Sequence, residues 1–527
     1  MTASLCAERP GPAYWHFDNS LLEDVGFIAS FWEFWLAWRG QKRAFHSARR
    51  WWDVGKVRAQ LFCRDYTRGA SQRRDAAIEQ LEQEVLELER RLATSPEDPS
   101  LCGACRERQE ELQALEDHRA WGAFVQSRIC LLWETDHGSH FFCALEKSGG
   151  GGKKHITCLL AEDGTPLTDP VEMCRRARTF YAGLFSLDPT DPNACIVLWD
   201  GLPTVSTGDR DPLELPLTLA EFSEALCRMP TNKSLGMVGL TVEFYRMIWD
   251  VLCPDLVTIW AESLQSGVLL LSCRRAVLAL LLKKGDLCNL QNWRPVSLLS
   301  TDYKVIAKAI LLWLGSVLVD VVHPELTYTI PGRTIFDNVY RSGISWSLSV
   351  GMVLFAYAEC LVRLNWSLTE PVSFGQGVRQ ECPLSGQLYS LAIEPFLCLL
   401  CRRLTGLVLQ EPELQLVLSA YANDLLLLVQ DPGDLVWVEA CQAVYSAAFS
   451  AQVNWVKSSG LVVRDEWQAS SLPPTLQAIQ WSAGPLLYLG IYLSATHPSL
   501  PENWHGLEGR VTERLQKWTG LLWCLSL

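Results

Sequence analysis

The chain has 527 residues, 49% hydrophobic and 10% aromatic, which is enough for several domains with real cores and too apolar for a disordered tail. Its formal net charge is −13, so any surface for nucleic acid must be a local basic one. Nineteen cysteines, odd in number and without regular spacing in a large chain, argue against a disulfide framework and for a reducing compartment. No secretory signal opens the sequence, and its apolar runs are broken by charges well short of the roughly 20 residues that a membrane helix needs. An intracellular protein, nuclear or cytoplasmic and without a membrane partner, is expected.

Residues 1–30 end in the aromatic, strand-like "AYWHFDNSLLED" before a helical pattern rich in Trp and Arg begins. Apolar residues then fall at Ile78, Leu81, Val85, Leu88 and Leu92, a 3-4-3-4 spacing with Glu and Arg between them. Such spacing makes the seam of a coiled coil. The segment "ATSPEDPSLCGAC" interrupts it and "RERQEELQALEDHRAWGAFV" resumes a helical pattern, which predicts a helical hairpin capable of self-association. Cys102 and Cys105 form a CxxC in the expected turn with His118 beyond, but no fourth ligand follows at finger spacing, so thiols in a turn are the simpler reading. The run "SGGGGKKH" at Ser148–His155 lacks the residue order of a phosphate loop and reads as a flexible loop. Beyond residue 155 strand and helix signals mix; "DPTDPNACIVLWDGLPTVSTGDRDP" is turn-rich and reads as a linker, and from Leu217 helices and short strands alternate.

The chemistry resides in an ordered series. It runs "TLAEFSEALCRMPTNKSLGMVGLTVEFYRMIWD", "LLKKGDLCNLQNWRPVSLLSTDYKVIAKAI", "IPGRTIFDNV", "GVRQECPLSGQLYSLAIEPF", "AYANDLLLLV", "NWVKSSGL" and "LLYLGIYL" across residues 217–492. In this order the stretches resemble the reverse transcriptase of LINE-type, non-long-terminal-repeat retrotransposons. "YWHFDNSLLED" resembles the last strand of that family's upstream endonuclease, "RICLLWETDHGSHFFCALEK" its connecting region and "LEGRVTERLQKWTGLLWCLSL" the start of its thumb.

The resemblance implies an α+β, right-hand polymerase fold of fingers and palm, preceded by a helical or coiled-coil hairpin. The expected organisation is an endonuclease remnant over 1–30, a helical linker over 31–150, a connecting region over 151–215, fingers over 216–345, palm over 346–495 and the start of a thumb over 496–527. It also implies an RNA template and a DNA primer as partners, and Mg²⁺ as cofactor.

Nucleotide addition is an in-line displacement in which two metal ions about 4 Å apart clamp the attacking and leaving oxygens. Hard cations take carboxylate oxygens, by resemblance one from an early palm strand and two from an Asp-Asp turn. The turn here is Asn423-Asp424, so Asp424 is the expected metal ligand and Asn423 a degenerate one. Lys457 is the further catalytic candidate. Lys283, Lys284, Arg294, Arg379 and Gln380 would meet the incoming nucleotide, Arg being suited by its planar fork. Lys304, Lys308 and Arg333 would contact nucleic acid. From Lys283 to Lys308 five Lys or Arg stand against two Asp, a local net of +3. An ordinary solvated face is the bland reading of the same run.

The departures cluster on the reaction. No aspartate occurs between Asp337 and Asp424, and only 40 residues separate Asn338 from Arg379, where the family needs a strand, a helix and a hairpin. Asn423 offers one neutral carbonyl oxygen and two donors where a carboxylate offers charged acceptors. Glu381 stands where the family has Gly, Val238 where it has Asp and Leu235 where it has Pro. The expected function is therefore a retrotransposon-derived reverse transcriptase domain that has lost catalysis. The alternatives are a domesticated nucleic-acid-binding protein and a relic without function.

Overall fold

The computed structural model describes residues 15–94, 98–127, 156–200, 215–322, 353–408, 415–462 and 476–494, apart from positions 232, 234–235, 284, 366, 432, 483 and 490, and it adds Leu202 and Leu326 singly. In chain order the helices are α1 (Val25–Gly40), α2 (Ala48–Thr94), α3 (Pro99–Ser127), α4 (Pro170–Leu184), α5 (Pro192–Trp199), α6 (Leu219–Cys227), α7 (Val242–Met247), α8 (Trp249–Ser266), α9 (Leu271–Arg274), α10 (Thr301–Val321), α11 (Ser385–Arg403) and α12 (Gly433–Phe449). The strands begin with β1 (Leu159–Leu160), β2 (Pro166–Leu167), β3 (Arg275–Leu282), β4 (Trp293–Leu298), β5 (Glu359–Leu364), β6 (Ser367–Leu368) and β7 (Val372–Ser373). They continue as β8 (Leu407–Val408), β9 (Gln415–Leu416), β10 (Leu418–Tyr421), β11 (Asp424–Leu427), β12 (Ser459–Leu461), β13 (Gln480–Ser482), β14 (Leu486–Tyr488) and β15 (Ile491–Leu493). This is a mixed fold of long helices and small sheets, consistent with the expected α+β class.

Two units divide the chain: residues 1–184, 218–305 and 353–374 form one, and residues 185–217, 306–352 and 375–527 the other. The first is organised around aromatic side chains that the amino-terminal helices supply. Phe27, Phe31, Trp35 and Trp38 recur along one face of α1 at helical spacing and are buried, together with Trp51, Trp52 and Phe244. Burying aromatic side chains of this size dominates the local energetics.

Ion pairs fix the same helices onto α8. The buried Asp255 accepts from Lys42 Nζ at 2.8 Å and lies 3.2 Å from Arg39 Nε, while Glu262 accepts from the Ser47 hydroxyl and the Ala48 N–H. Asp24 caps α1 by accepting from the backbone of Gly26 and Phe27, and it also receives the Tyr66 hydroxyl at 2.7 Å. That last bond, helped by the two backbone donors, holds its carboxyl below the usual aspartate value against the opposing effect of burial.

The amino-terminal "YWHFDNSLLED" differs from its strand-like appearance. Its described residues pair in no sheet: 15–18 belong to no helix or strand and Asn19–Glu23 form a 3-10 turn. Phe17 N–H donates to Gly239 O at 2.8 Å, and the Thr241 hydroxyl donates to Asn19 Oδ1 at 2.9 Å. Close backbone approach explains both glycines of "SLGMVG", and the docked segment accounts for the second. A Cβ at Gly236 would stand 2.5 Å from the Leu299 and Ser300 backbone, and Gly239, at φ +71°, would meet Trp15 O at 2.1 Å.

The predicted helical hairpin is present. Ile78, Leu81 and Val85 are buried along α2, with Leu88 and Leu92 half-buried, against Cys105 of α3. Gln109 of α3 donates to Glu89 of α2 at 3.1 Å. Cys102 and Cys105 lie inside α3, three residues apart on a helix and not in the turn expected from the Pro and Gly nearby.

The sheet of the first unit runs β4-β3-β5-β6, with β7 also paired to β5. β3 is antiparallel to β4 and parallel to β5. Asn365, in the β5–β6 turn at φ +51°, clamps Ile156, accepting from its N–H and donating to its carbonyl. In the second unit α12 packs on α5 and α11, and the small hairpins β8–β9, β10–β11 and β14–β15 follow α11 in sequence. Leu326 bridges Ala420 of β10.

Candidate functional site

The stretch that most resembles a polymerase centre folds as its pattern requires. Leu418 pairs with Leu427 and Tyr421 with Asp424, leaving Ala422 and Asn423 as a two-residue turn. Two-residue hairpins favour turns with positive φ at their first central residue, and Ala422 has φ +51°. Asn423 and Asp424 are thereby exposed at the tip while Leu418 and Ala420 are buried. Beside β10, the Tyr488 hydroxyl of the β14–β15 hairpin donates to Ser419 O at 3.2 Å. Burial pushes the Tyr488 phenol up, a Ser419 hydrogen bond pulls it back, and the Asp424 carboxylate adds to the rise.

The upstream turn is also instructive. Cys382 N–H donates to Arg379 O at 3.3 Å, so Arg379 to Cys382 form a β-turn with Glu381 at its third position, and Glu381 has φ +68°. A turn with positive φ at that residue alone has the type II pattern, which calls for Gly. The glutamate therefore occupies a backbone position that favours glycine. Arg379 is 1% exposed while Gln380 is exposed, so only Gln380 of this pair is open to solvent.

The basic candidates take definite places. Lys283 N–H donates to Asn292 O at 2.8 Å, extending the β3–β4 ladder in which Leu281 faces Arg294. Lys283 and Arg294 are thus diagonal neighbours on one exposed face, within reach of a shared anionic group. Lys304 and Lys308 are half-buried on α10. Lys457 is exposed at the end of a 3-10 turn, its N–H donating to Asn454 Oδ1 at 3.2 Å. Lys283, Arg294 and Lys304 belong to the first unit; Lys308, Arg379, Gln380, Asn423, Asp424 and Lys457 belong to the second. Lys284, Arg333, "IPGRTIFDNV" and the connecting and thumb stretches lie outside the described residues.

Among the described residues the donor set does not fit a pair of magnesium ions. Among the described residues no three His, Cys, Asp or Glu side chains are grouped closely enough to hold a metal. The hairpin tip supplies one carboxylate. Glu359, the first acid after Asp337, begins β5 and is 2.7 Å from the guanidinium of Arg275.

One buried polar cluster gave no signal in the sequence. Lys56 of α2 and Asp302 of α10, both in the first unit, meet at 2.5 Å with neither side chain above 2% exposure, and Trp52 Nε1 donates to the same carboxylate at 2.9 Å. Lys56 Nζ also reaches the Ser272 hydroxyl. Burial alone would discharge this lysine, but Asp302, and then Asp53, holds its ammonium above the ordinary lysine value. Burial likewise opposes the charge on Asp302, and Lys56 outweighs it, so the carboxyl stays below its ordinary value. No periodicity in α2 distinguishes Lys56 from its solvated neighbours; only tertiary packing does.

No protein-family model matches the chain. Over 99% of its length, however, the chain is 51% identical to the Transposon TX1 uncharacterized 149 kDa protein of Xenopus laevis. The aligned region takes up 43% of that protein, so the chain spans less than half the length of this relative. The alignment covers 565 residues, 38 more than the chain contains, so some stretches of the relative have no counterpart here. Identity at this level over nearly the whole chain makes it homologous to a transposon-encoded protein.

Proposed function

We propose that the chain is a reverse transcriptase domain descended from a LINE-type retrotransposon, with a right-hand polymerase fold, and that it no longer adds nucleotides. The observation that carries the second part is the β10–β11 tip, where Asn423 and Asp424 present one carboxylate in place of two. Two dications held close together repel strongly and require several carboxylates to offset that repulsion. The absence of any aspartate between Asp337 and Asp424 supports the same reading.

The test is primer extension on a primed RNA template with Mg²⁺. No extension is expected from the parent, and none from Asn423→Asp. Detectable DNA synthesis by the parent overturns the proposal.

A second reading, binding without catalysis, is favoured by the exposed pair Lys283 and Arg294 on the β3–β4 face. Backbone phosphates are held by such side chains, and affinity falls with salt as counterions are released. Affinity for the primed RNA at two salt concentrations distinguishes binding from a relic that binds nothing.

A further inference from the structure

The charge of the chain is unevenly placed. From Arg39 to Arg74 eleven Lys or Arg stand against Asp53 and Asp65, a local net of +9 in a chain of net −13. Four of these cations are engaged inside the first unit: Arg39 and Lys42 meet Asp255, Arg49 meets Glu262 and Lys56 meets Asp302. Arg43, Arg50, Arg58, Arg64, Arg68 and Arg73 are exposed. Among the described residues only Arg68 of these six has an acidic partner, Asp65 at 3.7 Å, with both side chains in solvent.

Helical spacing gathers exposed cations into a stripe. Trp52, Lys56, Ala59 and Cys63 of α2 are buried, and Arg50, Val57, Leu61, Arg64 and Arg68 recur at steps of seven, four, three and four on the other side, all exposed. At 1.5 Å per residue the stripe from Arg50 to Arg68 is about 27 Å long. A nucleic-acid duplex carries a negative charge per about 1.7 Å of axis, so about 27 Å of it presents about 16 phosphates. Three neighbouring rings already hold arginines: the guanidinium of Arg58 lies 4.4 Å from the centroid of Trp38, that of Arg64 5.7 Å from Trp15 and that of Arg73 5.8 Å from Tyr66. A ring face restrains a guanidinium and leaves its in-plane N–H donors for phosphate oxygens, but once covered it offers no platform to an unstacked base.

We infer that this face of α2 binds the phosphate backbone of double-stranded nucleic acid without reading its sequence. The charge selects a polyanion, and the planar fork of arginine suits phosphate oxygens. The covered rings select a duplex, because the base stacking that holds single strands is missing from the stripe. Contacts to phosphate carry no sequence information, so affinity is set by charge and falls with salt. The inference requires neither nucleotide addition nor the β3–β4 face with Lys283 and Arg294.

The test follows the fluorescence anisotropy of a labelled DNA duplex of about 20 base pairs, and of an RNA duplex of the same sequence, titrated with the full chain in EDTA at several salt concentrations. The parent is expected to bind both duplexes, to bind a scrambled sequence equally, and to bind the corresponding single strand more weakly. Arg50→Ala with Arg64→Ala and Arg68→Ala removes three exposed cations, none paired with a buried acid, so the thermal melt should stay unchanged. The slope of log affinity against log salt should fall by about 2.7, from about 0.9 for each of three phosphates. The triple lysine variant at the same positions supplies the same charge and keeps the slope. Lys283→Ala with Arg294→Ala leaves duplex affinity unchanged, which separates this surface from any binding of primed RNA by the β3–β4 face. The inference is overturned if the parent binds neither duplex, if the alanine variant retains the parent slope, if the lysine variant loses as much as the alanine variant, or if the single strand binds more tightly.

Discussion

Replacing Glu381 by glycine should stabilise the second unit, and the size of the effect follows from one turn. Glu381 sits at the third position of the Arg379–Cys382 turn with φ +68°, and its side chain is exposed. A residue with a Cβ pays about 1–2 kcal/mol in this left-handed region. Glycine relieves that strain but has more freedom to lose on folding, a cost of roughly 0.5–1 kcal/mol. The net gain is about 0.5–1 kcal/mol, or about 0.3 M in a urea midpoint for a slope in the usual range.

Glu381→Ala separates backbone from side chain. It removes the carboxylate but keeps the Cβ, so it should stay within about 0.5 kcal/mol of the parent, as surface changes usually do. Urea unfolding of parent, Ala and Gly variants, followed by circular dichroism, makes the comparison. A Gly variant no more stable than the Ala variant would refute the argument from backbone conformation.

Lys56→Met should cost about 3–5 kcal/mol, because it leaves Asp302 buried and unpaired, and adding Asp302→Asn should recover part of the loss in thermal melts. The pair also sets a pH window. Asp302 titrates below its ordinary value, so its contribution is present above about pH 4 and is lost as pH falls through the lower folded value. Lys56 titrates above its ordinary value, so its contribution is full below about pH 10.5 and is lost only in stronger alkali; a parent that exceeds Lys56→Met by a constant margin from pH 3 to 11 contradicts this.

Gly236→Ala should cost about 2–3 kcal/mol by driving a methyl into the Leu299–Ser300 backbone, whereas Gly40→Ala, with nothing within 4 Å, should be neutral or stabilising in the same melts. If binding to primed RNA is found, Lys283→Ala with Arg294→Ala should weaken it and flatten its salt dependence, while Asp424→Ala in EDTA should not. Equal weakening by both variants would exclude the β3–β4 face as the binding surface.

The sequence was most legible where the structure is local. The alternation around Asn423 predicts a tight hairpin because two apolar strands and a two-residue turn leave few other solutions, and β10 and β11 form it. The 3-4-3-4 seam predicts the α2–α3 hairpin because a helical period selects the buried face, and Ile78, Leu81 and Val85 occupy it. Reading failed where contacts join distant segments. The aromatic stretch before α1 looked like the end of a strand, yet it docks through Phe17 and Asn19 onto residues 239–241, more than 200 positions away.

The same distinction separates two sets of residues within the stretches that resemble a polymerase. Gly236 and Gly239 stand where a Cβ would strike a backbone, so packing alone accounts for glycine there, whatever the chain does. Glu381 and Asn423 stand on exposed turns, where a substitution costs about a kcal/mol of stability and leaves the fold standing. Under the proposed loss of catalysis, this contrast describes a chain constrained as a folded object and not as a polymerase. On that proposal the exposed β3–β4 face with Lys283 and Arg294 is where a surviving binding function can rest.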